Sequence, residues 1–274
     1  MNRQSHEETR EFVRQRYAEI ARTGGSCGPG CCSTRDAASL QLGYTAEELA
    51  SVPSDADMGL GCGTPLAFAS LREGETVLDL GSGGGLDCFL AAKQVGAAGR
   101  VIGIDMTAEM LAKARANAER LGAGNVEFRL GEIEHLPVAD RSIDVVVSNC
   151  VINLSPDKPA VLEEAFRTLR PGGRLAISDI VLSAALPEAL RNDSRALAGC
   201  IAGAAPVDDV RAMLAAAGFC DVEVDVQPNS RTFIRDWLPG SGAEHYIASA
   251  KIRAVRPAEH AAGDATSSTL CRAV

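Results

Sequence analysis

The chain has 274 residues, of which 46% are hydrophobic and 23% charged, and its formal net charge is −9 at pH 7. The length and composition suit a globular protein with one large α/β domain, or such a domain with modest additions at each end. The negative charge argues against nucleic acid or an anionic membrane surface as a partner, because both attract basic patches, and it suits a neutral or cationic small molecule. The sequence contains no run of about 18 apolar residues and no apolar leader between Met1 and Arg16, so we expect a cytoplasmic protein without a membrane span.

The first part of the chain combines short helices with glycine-rich turns. Glu7 to Ala21 has the periodicity of an amphipathic helix. The following run from Thr23 to Ser33, TGGSCGPGCCS, breaks that periodicity and carries three of the nine cysteines. Thr45–Glu48 is a capping box, and Met58–Gly63 is a second glycine-rich turn. We therefore assign residues 1–70 to an N-terminal helical and cysteine-rich extension.

From Thr76 onward, apolar strands alternate with helices. Strands that are apolar on both faces indicate a mostly parallel sheet with helices on both sides, which is the α/β Rossmann-like arrangement. We assign this core to residues 71–183. The predicted strands are Thr76–Leu80, Val101–Asp105, Val126–Leu130, Ile143–Ser148 and Arg174–Ile180, and the predicted helices are Leu86–Val95, Ala108–Leu121 and Lys158–Leu169.

The chain after this core has a mixed pattern, which we assign to a substrate-covering insertion and the last sheet strands over residues 184–255. It predicts a helical stretch at Pro187–Gly199, a helix at Val207–Ala217 and strands at Asp221–Gln227 and His245–Val255. Residues 256–274 are polar and rich in alanine, serine and threonine, and we expect a disordered tail.

The turn after the first strand predicts a nucleoside site. A strand, a glycine-rich turn and a helix bring backbone N–H groups against a bound nucleoside. A dinucleotide fingerprint would need a third glycine where Leu86 stands, so the spacing disfavours a nicotinamide cofactor. Asp79, directly before the turn, would repel a pyrophosphate but suits a cationic amino acid group. Asp105 closes the second strand, where a carboxylate can accept both ribose hydroxyls.

Three segments, Val77–Gly85, Asp105 and Pro171–Gly173, resemble class I S-adenosylmethionine-dependent methyltransferases. The resemblance implies S-adenosylmethionine as cofactor and a seven-stranded sheet of order 3-2-1-4-5-7-6 with its last strand antiparallel. It also implies the cofactor residues Asp79, Gly81, Ser82, Gly83 and Gly85 along the methionine part, Asp105 and Met106 at ribose and adenine, Ile133 and Glu134 at the adenine edge, and Asn149 beside them.

Three cysteines are placed where the sheet would bring them together. Cys150 follows the fourth strand, and the carboxyl ends of parallel strands face the ligand crevice. Cys62 lies in the second glycine turn and Cys200 in the insertion after the fifth strand. Three thiolates from three segments can hold a soft trigonal centre, whereas zinc would need a fourth ligand. Trivalent arsenic fits, because its lone pair would point at a methyl donor. A base-catalysed reaction has weaker support, with only His135 in a loop that could approach the site.

The segments Gly59–Gly63, Ser148–Lys158 and Gly199–Gly203 strongly resemble arsenite methyltransferases. The resemblance implies that Cys62, Cys150 and Cys200 bind arsenic. It further implies that an N-terminal cysteine forms a disulfide with Cys62 during turnover, and that thioredoxin or glutathione reduces this disulfide. We choose Cys32 for that cysteine, with Cys31 as a close alternative.

Several alternatives remain open from the sequence. The chain could methylate carbon, oxygen or nitrogen of a small metabolite such as a quinone, or it could be a non-catalytic thiol binder for a soft metal. The N-terminal cluster of Cys27, Cys31 and Cys32 could hold zinc, although no fourth ligand is near it. Cys88 and Cys220 are expected to be core residues. Cys271 is either an adventitious ligand or without a function.

Overall fold

The computed structural model describes residues 3–23 and 35–259. The predicted redox partner Cys32, its neighbours Cys27 and Cys31, and Cys271 lie outside the described residues. Eight strands are present in the described part: β1 Thr76–Leu80, β2 Arg100–Asp105, β3 Val126–Leu130, β4 Ile143–Asn149, β5 Leu169–Leu182, β6 Ala205–Pro206, β7 Cys220–Gln227 and β8 Ile247–Val255. The helices of the same part are α1 Arg3–Thr23, α2 Arg35–Leu42, α3 Ala46–Ala50, α4 Leu66–Ala69, α5 Leu86–Val95, α6 Ala108–Leu121, α7 Lys158–Thr168, α8 Glu188–Arg191, α9 Ser194–Ala198, α10 Val207–Ala216 and α11 Arg231–Trp237.

All eight strands belong to one sheet. Its order is β3-β2-β1-β4-β5-β8-β7, and the two-residue strand β6 pairs with the end of β5. Strand β8 runs antiparallel to both of its neighbours, while β1 to β5 are parallel. Counted over the seven long strands, this is the order 3-2-1-4-5-7-6, so the predicted fold class is confirmed. The short strand β6 was not predicted.

The sheet separates two hydrophobic layers because successive side chains of each strand point to opposite faces. On one face, Leu78 and Ile104 pack with Leu162 of α7 and Leu214 of α10. On the other, Val77, Val145 and Val147 pack with residues of α5 and α6. Burial on both faces explains why these strands are nearly continuous runs of apolar residues.

Several predicted boundaries differ from the structure, since α1 begins at Arg3 rather than Glu7, β5 at Leu169 rather than Arg174 and β8 at Ile247 rather than His245. Two further differences have a specific physical cause. The helical stretch at Pro187–Gly199 is two short helices, because the Asp193 side chain accepts a hydrogen bond from the Arg195 amide (2.8 Å) and starts a new helix there. The predicted tail begins too early at Arg256. This residue is 9% exposed, and its guanidinium donates to the carbonyl oxygens of Phe166 (2.6 Å) and Leu169 (2.9 Å).

Helix α1 lies over the carboxyl ends of the strands. Ile20 and Ala21 pack against Met110 of α6, and the Tyr17 hydroxyl donates to the carbonyl oxygen of Ala198 (3.1 Å). The N-terminal extension thus connects the core to the insertion after β5. None of the helices in the described ranges has the length and apolar character needed to cross a membrane.

Candidate functional site

A cavity opens at the carboxyl ends of β1, β2 and β4, and α1 and the segment before α4 close it from above. Its floor is the turn between β1 and α5, and Cys150 borders it next to the end of β4. This is the crevice at which parallel α/β sheets bind ligands.

The turn after β1 holds its shape through backbone contacts. Gly81 and Gly83 have left-handed φ values of 70° and 50°, a conformation that favours glycine. A Cβ atom at Gly81 would lie 2.5 Å from Val151 Cγ2, so no side chain fits there. The Gly83 amide donates to Asp105 Oδ2 (3.0 Å), which joins the turn to the end of β2. The hydroxyl of Ser82 is buried and has no hydrogen-bond partner among the described residues, so it is available to a ligand in the cavity.

Nine of the ten residues predicted to hold a cofactor line this cavity: Asp79, Gly81, Ser82, Gly83, Asp105, Met106, Ile133, Glu134 and Asn149. The tenth, Gly85, lies outside its lining. A Cβ atom at Gly85 would lie 2.7 Å from the Phe89 ring and 3.0 Å from the Phe128 ring. Glycine at this position therefore permits close packing at the start of α5.

Carboxylates dominate the electrostatics of the cavity wall. Burial and the neighbouring charge of Asp87 raise the pKa of Asp79 well above its ordinary value. Burial raises the pKa of Asp87 to about 6, although Tyr44 and Asn149 stabilise its charged form by hydrogen bonds. Such raised pKa values indicate carboxylates that lack a cation. A ligand with a sulfonium and an ammonium group, as S-adenosylmethionine has, fits this wall and the unpartnered Ser82 hydroxyl.

Beside this cavity the three predicted arsenic ligands converge. Cys62, Cys150 and Cys200 are 1%, 6% and 2% exposed. The sulfur atoms of Cys62 and Cys150 and a carboxylate oxygen of Asp179 all lie within 4.8 Å of one another. The Cys200 sulfur lies 2.8 Å from the Cys150 carbonyl oxygen. Three chain segments far apart in sequence thus bring their thiols to one buried place.

Two of these cysteines have unfavourable backbone conformations. Cys150 has φ 58° and Cys200 has φ 61°, the left-handed region that costs a residue with a side chain about 1–2 kcal/mol relative to glycine. Cys200 follows the last turn of α9, where glycine is the usual residue. Strained backbone of this kind is concentrated at functional sites.

The buried thiols are protonated at neutral pH. Burial raises the pKa of Cys62 to about 11. The Cys200 thiol lowers the pKa of Cys150, but the Cys62 thiol and burial outweigh it and hold that pKa well above the ordinary value. The Cys150 thiol and burial likewise raise the pKa of Cys200. The site therefore presents neutral S–H groups to an incoming substrate.

Asn149 connects the thiols to the cofactor cavity. Its Oδ1 accepts a hydrogen bond from the Cys62 amide (3.0 Å). Its Nδ2 lies within hydrogen-bonding distance of the Gly63 carbonyl (2.9 Å), the Tyr44 hydroxyl (2.9 Å) and Asp87 Oδ2 (3.1 Å). These contacts tie the Asn149 amide, which also lines the cavity, to the glycine turn that carries Cys62.

Asp179 fixes the loop that follows Cys150. Its two carboxylate oxygens accept the backbone amides of Ile152 (3.0 Å), Asn153 (3.3 Å) and Ile180 (2.7 Å) and the Asn153 side chain (2.9 Å). Sequence reasoning missed this residue, as it missed Tyr44 and Asp87. The available signal for Asp179 was an acidic residue within an otherwise apolar strand, AISDIV.

The structure gives no support to a histidine base. His135 is exposed, the His245 side chain is 73% exposed, and no histidine of the described ranges lines the cavity. Cys88 and Cys220 are buried away from the three thiols, as expected for core residues. Cys88 has one polar contact, a hydrogen bond to Asp79 Oδ2 (3.2 Å).

Comparison with known proteins gives a consistent assignment. A family model described as a methyltransferase domain matches residues 71–218. The arsenite methyltransferase of Halobacterium salinarum is 54% identical over 264 residues, which cover 92% of this chain and 68% of that protein. The arsenite methyltransferase of Mus musculus is 36% identical over 224 residues, covering 78% of this chain and 58% of that protein. A crystal structure of an arsenic(III) S-adenosylmethionine methyltransferase from Chlamydomonas reinhardtii matches with a TM-score of 0.59 at 36% identity, over 79% of this chain and 72% of that one.

Proposed function

Since this chain belongs to the S-adenosylmethionine-dependent methyltransferases, and among them to the arsenite methyltransferase family, we propose that it methylates trivalent arsenic held by Cys62, Cys150 and Cys200. The observation that carries the proposal is the convergence of three buried thiols beside the cavity that the glycine turn lines. Cysteines that only fill a hydrophobic core would not require left-handed backbone, which Cys150 and Cys200 both have.

The cofactor site consists of residues whose chemistry suits S-adenosylmethionine. When bound, this cofactor supplies a methyl group on a positively charged sulfur. Asp79 and Asp87 lie near the glycine turn, where a bound cation would favour their charged forms, and Asp105 is placed to accept ribose hydroxyls. Met106 and Ile133 offer apolar contacts to an adenine ring, with Glu134 beside them.

Arsenite binding is a condensation that suits protonated thiols. Arsenous acid, As(OH)₃, is neutral, so the negative charge of the chain does not repel it. Three S–H groups and three As–OH groups give three As–S bonds and three water molecules, and no net proton is released. The arsenic lone pair is not used in these bonds and remains free as a nucleophile.

Methyl transfer then depends on the relative position of the bound arsenic and the methyl group. Bound S-adenosylmethionine would supply the methyl group, and Cys62, Cys150 and Cys200 would hold the arsenic so that its lone pair could form the As–C bond, while the electrons of the broken C–S bond would stay with the sulfur as a neutral thioether. No proton is transferred in this step, which agrees with the lack of a histidine in the described cavity lining. Holding both reactants in contact can supply a large part of the rate, since effective molarities of oriented groups reach about 10⁵–10⁸ M.

Turnover requires two electrons, because transfer oxidises arsenic formally from the trivalent to the pentavalent state. Oxidation of two thiols to a disulfide supplies them. We assign this disulfide to Cys62 and a cysteine that precedes α2 in the sequence, Cys32 or its neighbour Cys31. Thioredoxin or glutathione would restore the thiols by exchange.

Methyl-labelled S-adenosylmethionine added with arsenite to a cell extract containing the protein tests the choice of acceptor. We expect the label in methylated arsenic species. Label in a quinone or another carbon metabolite, with none in arsenic, would show that the protein has a different substrate.

A further inference from the structure

Asp57 lies between α3 and α4, directly before the glycine-rich turn Met58–Gly63. Its side chain is 4% exposed and lines the cofactor cavity. Oδ1 accepts hydrogen bonds from the Ser39 hydroxyl (2.8 Å) and the Gly59 amide (2.9 Å). Oδ2 is buried and has no hydrogen-bond partner among the described residues. A buried carboxylate oxygen without a donor is costly, so a donor from a ligand in the cavity would satisfy it.

The position of Asp57 indicates which part of the ligand provides that donor. The segment that carries it packs directly on the glycine turn, since a Cβ atom at Gly84 would lie 2.8 Å from the carbonyl oxygens of Asp55 and Ala56. The charge of Asp57 also acts on Asp87, whose pKa it helps to raise. Asp57 thus faces the acidic side of the cavity, where a positively charged amino acid group is expected.

We infer that Asp57 binds the α-ammonium group of S-adenosylmethionine through Oδ2. This inference rests on the proposed function. An ammonium group is the donor that suits a buried carboxylate oxygen best, because the charge-assisted hydrogen bond is short and strong.

The same carboxylate connects the cofactor to the arsenic site. Asp57 Oδ1 holds the amide of Gly59, which begins the turn 59–63 that presents Cys62. An ammonium group on Oδ2 fixes the carboxylate and, through it, the start of this turn. Cofactor binding therefore orders the loop that carries one arsenic ligand, and each ligand raises the affinity for the other by the same factor.

The test compares two neutral-sulfur ligands that differ only in the amino acid part. S-adenosylhomocysteine carries the ammonium group, and 5′-methylthioadenosine is the nucleoside without it. We expect Asp57→Asn to weaken S-adenosylhomocysteine binding by about 10- to 100-fold in calorimetry and to leave 5′-methylthioadenosine within about twofold of wild type. Asp55→Asn is the matched control, because the Asp55 side chain is 46% exposed and pairs with Arg120 on the surface.

An equal loss for both ligands, or no loss for either, would overturn the inference. Failure of the wild-type protein to bind S-adenosylhomocysteine would overturn the proposed function together with it, so the two failures are distinguishable.

The connection to the arsenic site is tested by the ratio of the arsenite Kd measured without S-adenosylhomocysteine to the arsenite Kd measured with it. We expect a ratio above 1 in wild type that falls towards 1 in Asp57→Asn. An unchanged ratio would show that Asp57 does not couple the sites.

Discussion

The sulfur of Cys200 lies 2.8 Å from the carbonyl oxygen of Cys150, and both residues have left-handed backbone. This contact joins the insertion after β5 to the end of β4. The position of one thiol therefore depends on the backbone of the residue that carries another.

Loss of the Cys150 thiol should remove arsenic chemistry without removing the cofactor site. We expect Cys150→Ser to reduce arsenite methylation below detection while S-adenosylhomocysteine still binds, because an alcohol is a poor ligand for a soft centre. Cys220→Ser in β7 is the control, and it should keep activity. Turnover of the Cys150 variant at the wild-type rate would exclude this cysteine as a ligand.

The strain at Cys200 predicts an unusual order of stabilities. Glycine tolerates φ 61° without the clash that a Cβ atom causes. We therefore expect Cys200→Gly to have a higher free energy of unfolding than Cys200→Ala by about 1 kcal/mol. Urea denaturation of the two variants measures the difference. An alanine variant as stable as the glycine variant would mean that the left-handed backbone is not maintained in solution.

The raised thiol pKa values predict how arsenite binding depends on pH. With the pKa of Cys62 at about 11 and those of Cys150 and Cys200 also raised, neutral thiols condense with neutral arsenous acid. The arsenite Kd should be constant from pH 6 to pH 8. If the thiols were ionised, binding would consume protons. The affinity for arsenite would then fall by roughly tenfold per thiolate for each unit by which the pH rises.

Zinc provides the contrasting case for the same thiols. A divalent cation must displace a proton from each thiol that it binds. Any zinc affinity of the site should therefore rise steeply with pH over the range in which arsenite affinity stays level. Parallel pH profiles for the two ions would contradict the protonated state of the site.

The buried carboxylates predict the pH dependence of cofactor binding. Burial is the largest cause that raises the pKa of Asp87 to about 6. Only the charged form of its carboxylate attracts a cation. S-adenosylmethionine affinity should increase as the pH rises through 6. The pKa of Asp87 is higher in the folded protein than in the unfolded chain, where it is about 4, so protonation of Asp87 stabilises the folded state. This stabilisation is fully present below the unfolded-state pKa and is lost as the pH rises through 6.

Thermal unfolding at pH 5 and pH 7 measures this effect. We expect S-adenosylmethionine to raise the Tm more at pH 7 than at pH 5. Asp87→Asn should reduce the difference between the two pH values. A Tm increase that is the same at both pH values in the wild-type protein would argue against an ionising carboxylate at the cofactor.

The close approach of Gly63 to β5 gives a steric prediction. A Cβ atom at Gly63 would lie 2.5 Å from Ser178 Oγ and 3.2 Å from Ser178 Cβ. Gly63→Ala should therefore displace the turn that carries Cys62, whose sulfur lies 3.3 Å from the Ser178 carbonyl oxygen. We expect arsenite affinity to fall by about tenfold or more, since a displacement of about 1 Å can cost 10²-fold at a site that depends on orientation.

Removal of the serine hydroxyl tests this explanation. A Ser178→Ala background removes the 2.5 Å contact and leaves those of 3.2 Å and 3.8 Å, so the effect of Gly63→Ala should be smaller than in wild type. Gly124→Ala is the control, since nothing lies within 4 Å of a Cβ atom there. Equal losses in both backgrounds would rule out the Ser178 hydroxyl as the cause.

Much of the fold follows from local sequence patterns. The bounds of β1, α5, α6 and β3 agree with prediction because apolar periodicity and glycine ends define them. The N-terminal sequence predicted α1, but not its position over the cavity, which depends on contacts such as Ile20 with Met110. The break between α8 and α9 depends on one aspartate cap that periodicity does not reveal.

The residues of the candidate site likewise include some that the sequence predicted and some that it did not. Motif spacing indicated Asp79, Asp105 and the three cysteines, because each lies at or just after the end of a strand or is flanked by glycines. Tyr44, Asp57 and Asp179 make contacts between segments apart in sequence, with Asp87, Ser39 and Ile152 respectively, and such contacts leave no periodic signal. The left-handed conformation at Cys150 is also invisible in sequence, since an ordinary cysteine carries no mark of its backbone angle.

The most direct test of the central claim is arsenic speciation after incubation of the purified protein with arsenite, S-adenosylmethionine and a thiol reductant. We predict methylated arsenic species and one S-adenosylhomocysteine for each methyl group transferred, with both products lost in Cys150→Ser. Arsenite that binds to the protein but is recovered unmethylated, with no S-adenosylhomocysteine formed, would contradict the account and indicate a protein that only binds arsenic.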